Sequence, residues 1–229
     1  LTVAIPDLLR ENKALLVVEG GSNTQTPPPD LSDIIPYIGA FGSTLGIPMA
    51  YLQQVPSEPL RFSDETRSRT EDEIIAYSYD KYLTTGDPTW PLLLPMVKSA
   101  VAAMDTLEAV VSAQTGHEVE QFIVGGASKR GWTTWLTAAA VPERVAAIVP
   151  VVIDVLSMAR QIEHHHAAYG FYSSAVHDYV DMNIFGRIET TEGRALTRIV
   201  DPYSYLDRLT MPKFMITATG DQFFPCDSA

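Results

Sequence analysis

Residues Gln121 to Thr137 read QFIVGGASKRGWTTWLT, and they constrain the chain more than any other stretch. An apolar run of Phe122, Ile123 and Val124 passes through Gly125 and Gly126 to Ser128. Trp132, Trp135, Leu136 and Ala139 follow at i, i+3, i+4 and i+7, the repeat of one helical face. A strand, a tight turn and a helix, with a serine at the turn, form the context of a nucleophile elbow. The glycines suit a turn whose backbone approaches its neighbours closely. Ser128 would then stand at a helix N-terminus, where free N–H groups, the first being that of Lys129, can stabilise an oxyanion. The spacing departs from G-x-S-x-G, because Arg130 holds the second glycine position and the next glycine is Gly131. The alternative is an ordinary strand-to-helix turn with a capping serine.

Other segments carry the same strand-and-turn rhythm. Lys13 to Val18 (KALLVV) reads as a buried parallel strand and runs directly into Glu19, Gly20 and Gly21. A glycine pair there fits either the second half of an oxyanion hole or a plain turn. Thr24 to Asp33 is polar and Pro-rich, hence a surface loop; Ile34 to Phe41 suits a short helix, and Pro48 to Gln53 a strand. Thr70 with Glu73 spells a capping box, and Glu71, Asp72 and Glu73 match the positive end of the helix dipole. Leu92 to Ala113 reads as a long helix with Met96, Ala100, Ala103, Met104, Leu107 and Val111 on one face.

After the elbow, Val145 to Val149 is the next buried strand, with Pro150 ending or interrupting its ladder. Asp154 closes the apolar piece that follows, where ligands gather at the ends of parallel strands; it equally suits a structural acid capping the next segment. Residues 155–208 break the rhythm with a His164–His165–His166 run and several aromatics, and read as a helical cap inserted over a pocket. Three adjacent histidines cannot face one point, so no metal site is expected, and no dinucleotide fingerprint or other cofactor signal occurs. Lys213 to Thr217 is the last strand, leading to Asp221, where an acid of a Ser…Asp…His order belongs. The fold class is therefore α/β, an α/β-hydrolase: residues 1–154 and 209–229 form a mostly parallel sheet flanked by helices, and 155–208 the insertion.

A chain of 229 residues, 46% hydrophobic, can bury one large core. Its formal charge of −12 excludes nucleic acid and anionic membrane surfaces as partners, and no apolar run is long enough to span a bilayer. The single Cys226 rules out an internal disulfide. Opening at Leu1 without a methionine predicts a missing N-terminal part.

GGASKRGWTTWLTAA, VAAIVPVVIDVL, DYVDMNIFGR and ITATGDQFFPCDS, with WPLLLPMVKSAVAAMD before them, resemble the PhoPQ-activated pathogenicity-related family across nearly the whole chain. That family is similar to α/β-hydrolases, is linked to virulence-associated regulation, and looks related to secreted autocrine proliferation repressors of amoebae. The resemblance implies export, with Ser128 as nucleophile and Asp221 as acid. Against it, all five histidines (His117, His164, His165, His166 and His177) precede Asp221. The chain is then a piece lacking its last strand and base, or the base comes from the cap, or no triad operates. A serine without an imidazole is a poor nucleophile.

The expected substrate is a small-molecule, peptide or sugar ester. Ser128 attacks a carbonyl, Asp221 or its substitute Asp154 orients the base, and the N–H groups of Lys129 and one near Gly20 and Gly21 hold the oxyanion. Lys129 and Arg130 would either meet an anionic substrate, an arrangement similar to that of glucuronoyl esterases and one that makes a carbohydrate esterase an alternative reading, or be plain surface charges at the helix start. A peptidase of the prolyl-oligopeptidase type and a non-catalytic secreted binding or signalling module with a hydrolase fold are the rival readings.

Overall fold

The computed structural model describes residues 1–24, 32 and 34–225. The loop read at Thr24 to Asp33 therefore lies largely outside the described residues, as does Cys226. Among the described residues five strands form one sheet: β1 (Thr2–Ala4), β2 (Lys13–Val18), β3 (Met49–Leu52), β4 (Gln121–Ala127) and β5 (Val145–Val151). Their order is β1-β3-β2-β4-β5, with every neighbouring pair parallel except β1 against β3. Side chains alternate across the pleat. Ala14, Leu16 and Val18 thus enter the main core, while Leu15 and Val17 pack on the opposite face with Ile38, Met49 and Tyr51. Burial on both faces explains why the strands read as unbroken apolar runs.

Residues 213–216 run beside β5 as the next, parallel element. Ile148 N–H donates to Pro212 O (3.0 Å), and Phe214 N–H returns to Ile148 O (2.9 Å). Ile216 N–H reaches Pro150 O (3.1 Å), and Val152 N–H reaches Ile216 O (2.7 Å). The one gap in this ladder falls at Pro150, which has no N–H to give to residue 214. On its other side β5 continues unbroken through Pro150, which sits opposite Gly126. The expected last strand is thus present as a pair of bridges, because proline removes the bond that would have joined them.

Helix α1 (Ile35–Leu45) covers the face of the smaller cluster. On the other face lie α2 (Glu71–Thr85), α3 (Leu93–Thr115) and α4 (Lys129–Ala140). All six residues assigned to the buried stripe of the long helix are buried in α3. The start of α2 differs from expectation. Thr70 makes no capping bond with its side chain; instead Glu71 N–H donates to Glu58 Oε2 at 2.6 Å, and Glu73 turns to Arg67 and Arg69. A carboxyl group brought from 13 residues upstream takes the place of the local hydroxyl.

Between β5 and residue 213 the chain is helical: α5 (Met158–Tyr169), α6 (His177–Asp181), α7 (Ile184–Arg187) and α8 (Thr191–Val200). This segment is tied to the core by Trp132 Nε1–H to Val200 O (2.6 Å) and Tyr179 O–H to Asp72 (2.8 Å). Asp201 anchors its beginning, accepting from the N–H of Met158 at 2.8 Å and of Ser157 at 3.2 Å. Among the described residues no helix is long and apolar enough to cross a membrane, and no three His, Cys, Asp or Glu side chains converge as metal ligands would.

Candidate active site

Ser128 joins β4 to α4 with φ 54° and ψ −127°, a backbone conformation that costs a non-glycine residue free energy. Two interactions hold it there: its N–H donates to Val151 O on β5 (2.8 Å), and its carbonyl accepts from Trp132 N–H (3.0 Å). The displaced glycine is explained by close approach. A Cβ on Gly131 would lie 2.6 Å from Ile153 Cγ2 and 2.9 Å from Gly126 O. A Cβ on Gly126 would lie 2.7 Å from Arg130 O. The crossing of strand and helix is thus relieved at Gly126 and Gly131, and position 130 is free to carry a large side chain. The Ser128 side chain faces a cavity between the elbow and α5–α7, and Lys129 N–H, as the first of α4, has no acceptor within the helix.

The two cations after the serine are not surface charges. Lys129 and Arg130 are 4% and 6% exposed. Lys129 Nζ is held by Glu71 and by Asp72 Oδ2 (2.9 Å). Arg130 donates from Nε to Val55 O (2.6 Å) and from Nη1 and Nη2 to the Glu71 carboxylate (3.0 and 3.2 Å). Its guanidinium fills the space a Cβ on Gly20 would need. Gly20 therefore makes room for Arg130, and its own N–H is donated to Glu19 Oε1 at 2.8 Å. Gly21, at φ 135°, is the residue where a left-handed backbone demands glycine.

Glu71, at the junction of Lys129 and Arg130, also sits at positive φ (51°) and meets the buried carboxyl of Glu58. Burial, and then the hydrogen bond to Glu71, push Glu58 up to about 7. Burial works against ionisation of Glu71 too, but hydrogen bonds from Glu58, Arg130 and Lys129 hold it well below the usual carboxylate range. Below about pH 7 the pair therefore holds one proton, on Glu58, and one negative charge, facing the two cations.

Asp154 is buried at 4% exposure and lines the same cavity as Ser128. Asp221 does not line it. Its Oδ1 accepts from the N–H groups of Phe223 (2.8 Å) and Phe224 (3.2 Å), and its carbonyl accepts from Tyr169 O–H. Of the five histidines only His165 reaches the cavity. Its Nε2 accepts from Ser173 N–H (3.1 Å), so Nδ1 carries the proton, given to Phe223 O at 3.1 Å. Burial lowers its pKa. A neutral imidazole has one donor and one acceptor, and both are committed to backbone. His117 lies at the opposite end of β4, bonded to Glu11 O, and His177 is exposed against Asp178.

Sequence reasoning missed Glu58, Glu71 and Asp72 as partners of the elbow. The signal available was charge complementarity: an acidic run opening α2 and a basic pair opening α4.

The sequence pattern of the PhoPQ-activated pathogenicity-related protein family matches residues 1–229, the whole chain. The chain belongs to that family. It is 36% identical over 229 residues to autocrine proliferation repressor protein A of Dictyostelium discoideum, covering 100% of this chain. It spans 46%, about half, of that relative's length. Among solved structures it is similar to acetyl xylan esterase 1 of a Thermoanaerobacterium species (TM-score 0.59, 17% identity, 97% of this chain and 64% of that one). It is also similar to an acetyl xylan esterase of a Paenibacillus species (TM-score 0.52, 13% identity, 95% of this chain and 70% of that one). At such identity these likenesses bear on fold alone, and the fold of this family member is that of the α/β-hydrolases.

Proposed function

We propose that the protein is a serine hydrolase acting on an ester or amide, with Ser128 as its nucleophile. The observation that carries this is the strained Ser128 backbone at a strand-to-helix turn, its side chain in a cavity beside the free N–H of Lys129. In the proposed reaction Ser128 Oγ adds to the carbonyl carbon while its proton passes to an imidazole. The oxyanion is met by Lys129 N–H and by a backbone N–H near Gly21. The imidazole later returns the proton to the leaving group, and water releases the acyl group by the same path. His165 does not serve, since both its nitrogens are spent. The base is assigned to the part of the full-length protein outside this sequence, in keeping with a relative of more than twice the length. Asp221 is its proposed partner by chain order; Asp154, which shares the cavity, is the alternative acid. The helical segment 155–208 is the proposed cap, and export is inferred on the family's account, to be tested by cell fractionation.

One observation favours a second reading, a binding or signalling module with an idle hydrolase fold: among the described residues, His165 is the imidazole that lines the Ser128 cavity, and both its nitrogens are bonded to backbone. A fluorophosphonate probe on the full-length protein, read by intact mass, separates the two. An adduct absent from Ser128→Ala supports the hydrolase. No adduct on a full-length chain with a histidine after Asp221 overturns it.

A further inference from the structure

Strands β2 and β4 are parallel neighbours whose register ends at the pair Val18 and Gly126. Gly20 and Ser128 each stand two residues further on, so the two turns leave the sheet side by side, past the last pair of that ladder. Arg130 spans them. Its side chain starts on α4 and does not line the Ser128 cavity. It ends against the β2 turn, where the three atoms nearest to a Cβ built on Gly20 all belong to its guanidinium: Nη2, then Cζ at 2.7 Å and Nε at 3.3 Å. The turn itself is carried by the segment that follows β3. Gln54 N–H donates to Gly20 O (2.9 Å), Val55 N–H to Glu19 O (3.1 Å), and Asn23 N–H to Glu58 O (2.6 Å). Arg130 grips that segment at Val55 O through Nε, and through Nη1 and Nη2 it holds Glu71, whose N–H is bonded to Glu58. Three non-glycine residues of left-handed backbone, Gln54 (φ 61°), Glu71 (51°) and Ser128 (54°), meet in this network. Such strain persists only where the surroundings fix it.

We infer that Arg130 is a positioning residue: its guanidinium sets the Gly20–Gly21 turn at a fixed distance from the elbow, so that a backbone N–H of the turn and that of Lys129 converge on one oxyanion. The inference rests on Ser128 being the nucleophile. Oxyanion donors act by standing in place before charge develops, within about 2.7–3.1 Å of where it will sit. A turn that drifts from the elbow therefore weakens the transition state and leaves the bound ester little affected. A planar fork meets Val55 O and both oxygens of Glu71 at once, whereas an ammonium is a single point charge. Gly20 is not among the glycines of positive φ, so alanine suits its backbone and meets the guanidinium first.

The test uses the full-length protein, p-nitrophenyl acetate as the ester, and a fluorophosphonate that counts working Ser128 by intact mass at the end-point. Arg130→Lys keeps the charge and loses the fork. Gly20→Ala keeps Arg130 and pushes its guanidinium off the turn. Each is expected to lower kcat per labelled site about tenfold or more, with KM within about threefold of the parent. The rate of phosphonylation is expected to fall with kcat, because Ser128 Oγ displaces fluoride and the phosphoryl oxygen takes the oxyanion's place. In the double variant the losses are expected to fall well short of multiplying, since Gly20→Ala then has no fork to displace. Where Arg130→Lys does not fold, Gly20→Ala carries the test by itself.

The parent protein separates failure of this inference from failure of the hydrolase reading. If the parent is active and the variants keep its kcat, lose only in KM, or show losses that multiply, the positioning role falls and the hydrolase stands. A lower melting temperature with kcat per labelled site unchanged makes Arg130 a stabilising residue alone, and overturns the inference in the same way. If the parent takes the probe without hydrolysing this ester, the phosphonylation rates decide by the same criteria. If it does neither, the hydrolase reading fails and the positioning role falls with it.

Discussion

Lys129 and Asp72 form a 2.9 Å ion pair directly behind the elbow, and the same Asp72 carboxylate accepts from the Tyr179 hydroxyl at 2.8 Å. One carboxylate thus connects the residue after Ser128 to helix α6. Lys129 is 4% exposed, so the pair lies away from the screening that makes most surface pairs weak.

Removing part of this link is expected to be costly. Tyr179→Phe leaves the shape intact and deletes one charge-assisted hydrogen bond, for a loss of about 1–3 kcal/mol in urea unfolding. Asp72→Asn removes the charge facing Lys129 as well, and costs more. In a double-mutant cycle the two are expected to couple by about 0.5–3 kcal/mol, since they share one contact. Additive effects would show that Tyr179 and Asp72 do not act as a pair.

Glycine substitutions test the account of the elbow. Gly131→Ala drives a Cβ to 2.6 Å from Ile153 Cγ2 and 2.9 Å from a backbone carbonyl, so β4 and α4 must separate. The expected cost is about 1–3 kcal/mol in thermal or denaturant unfolding. Gly39→Ala in α1 is the control, because a Cβ there meets nothing within 4 Å. It is expected to be neutral or stabilising by about 0.5–1 kcal/mol. Equal effects at the two sites would place the glycine requirement elsewhere.

The sheet and the elbow were legible because their causes are local. KALLVV and QFIV are strands buried on both faces, and buried strands must be apolar throughout. The surroundings of Ser128 were less legible because their causes are distant. The partners of Lys129 and Arg130 come from 58 and 59 residues upstream, on a helix whose acidic start has a sufficient local explanation. Pro150 marks an interruption by its missing N–H alone, but which of its two neighbours loses the bond depends on register. His165 stands out as one of three histidines, yet only the backbone around it reveals that its nitrogens are occupied.

His165 carries an acid sensitivity. Its folded pKa is lowered by burial, so the unfolded chain binds a proton first as pH falls below about 6.5. Stability from this group is present above that value and is lost on acidification toward the lower folded pKa. His165→Asn keeps polar atoms near Ser173 and Phe223 without titrating there. Unfolding free energies measured from pH 7 to 5 are expected to fall less steeply in this variant than in the parent, beneath a uniform drop for the poorer fit. Parallel curves would mean that His165 takes up its proton as readily in the folded protein as in the unfolded chain.

Glu58 has the opposite sign. Its folded pKa, about 7, lies above the ordinary carboxylate value of 4.5, because it is buried against Glu71. Between those values the folded state holds a proton that the unfolded chain has released, so this group's contribution to stability falls as pH rises from about 4.5 to 7 and is level above. Glu58→Gln places a permanent N–H donor where the proton sits and leaves Arg130 bound to Glu71. The variant is expected to lose this part of the slope and to be more stable than the parent by about 1–3 kcal/mol at pH 8, with little difference at pH 5. Paired urea titrations at those two pH values measure the difference directly. A variant weaker than the parent at both would mean that Glu58 is ionised in the fold and that Arg130 depends on its charge.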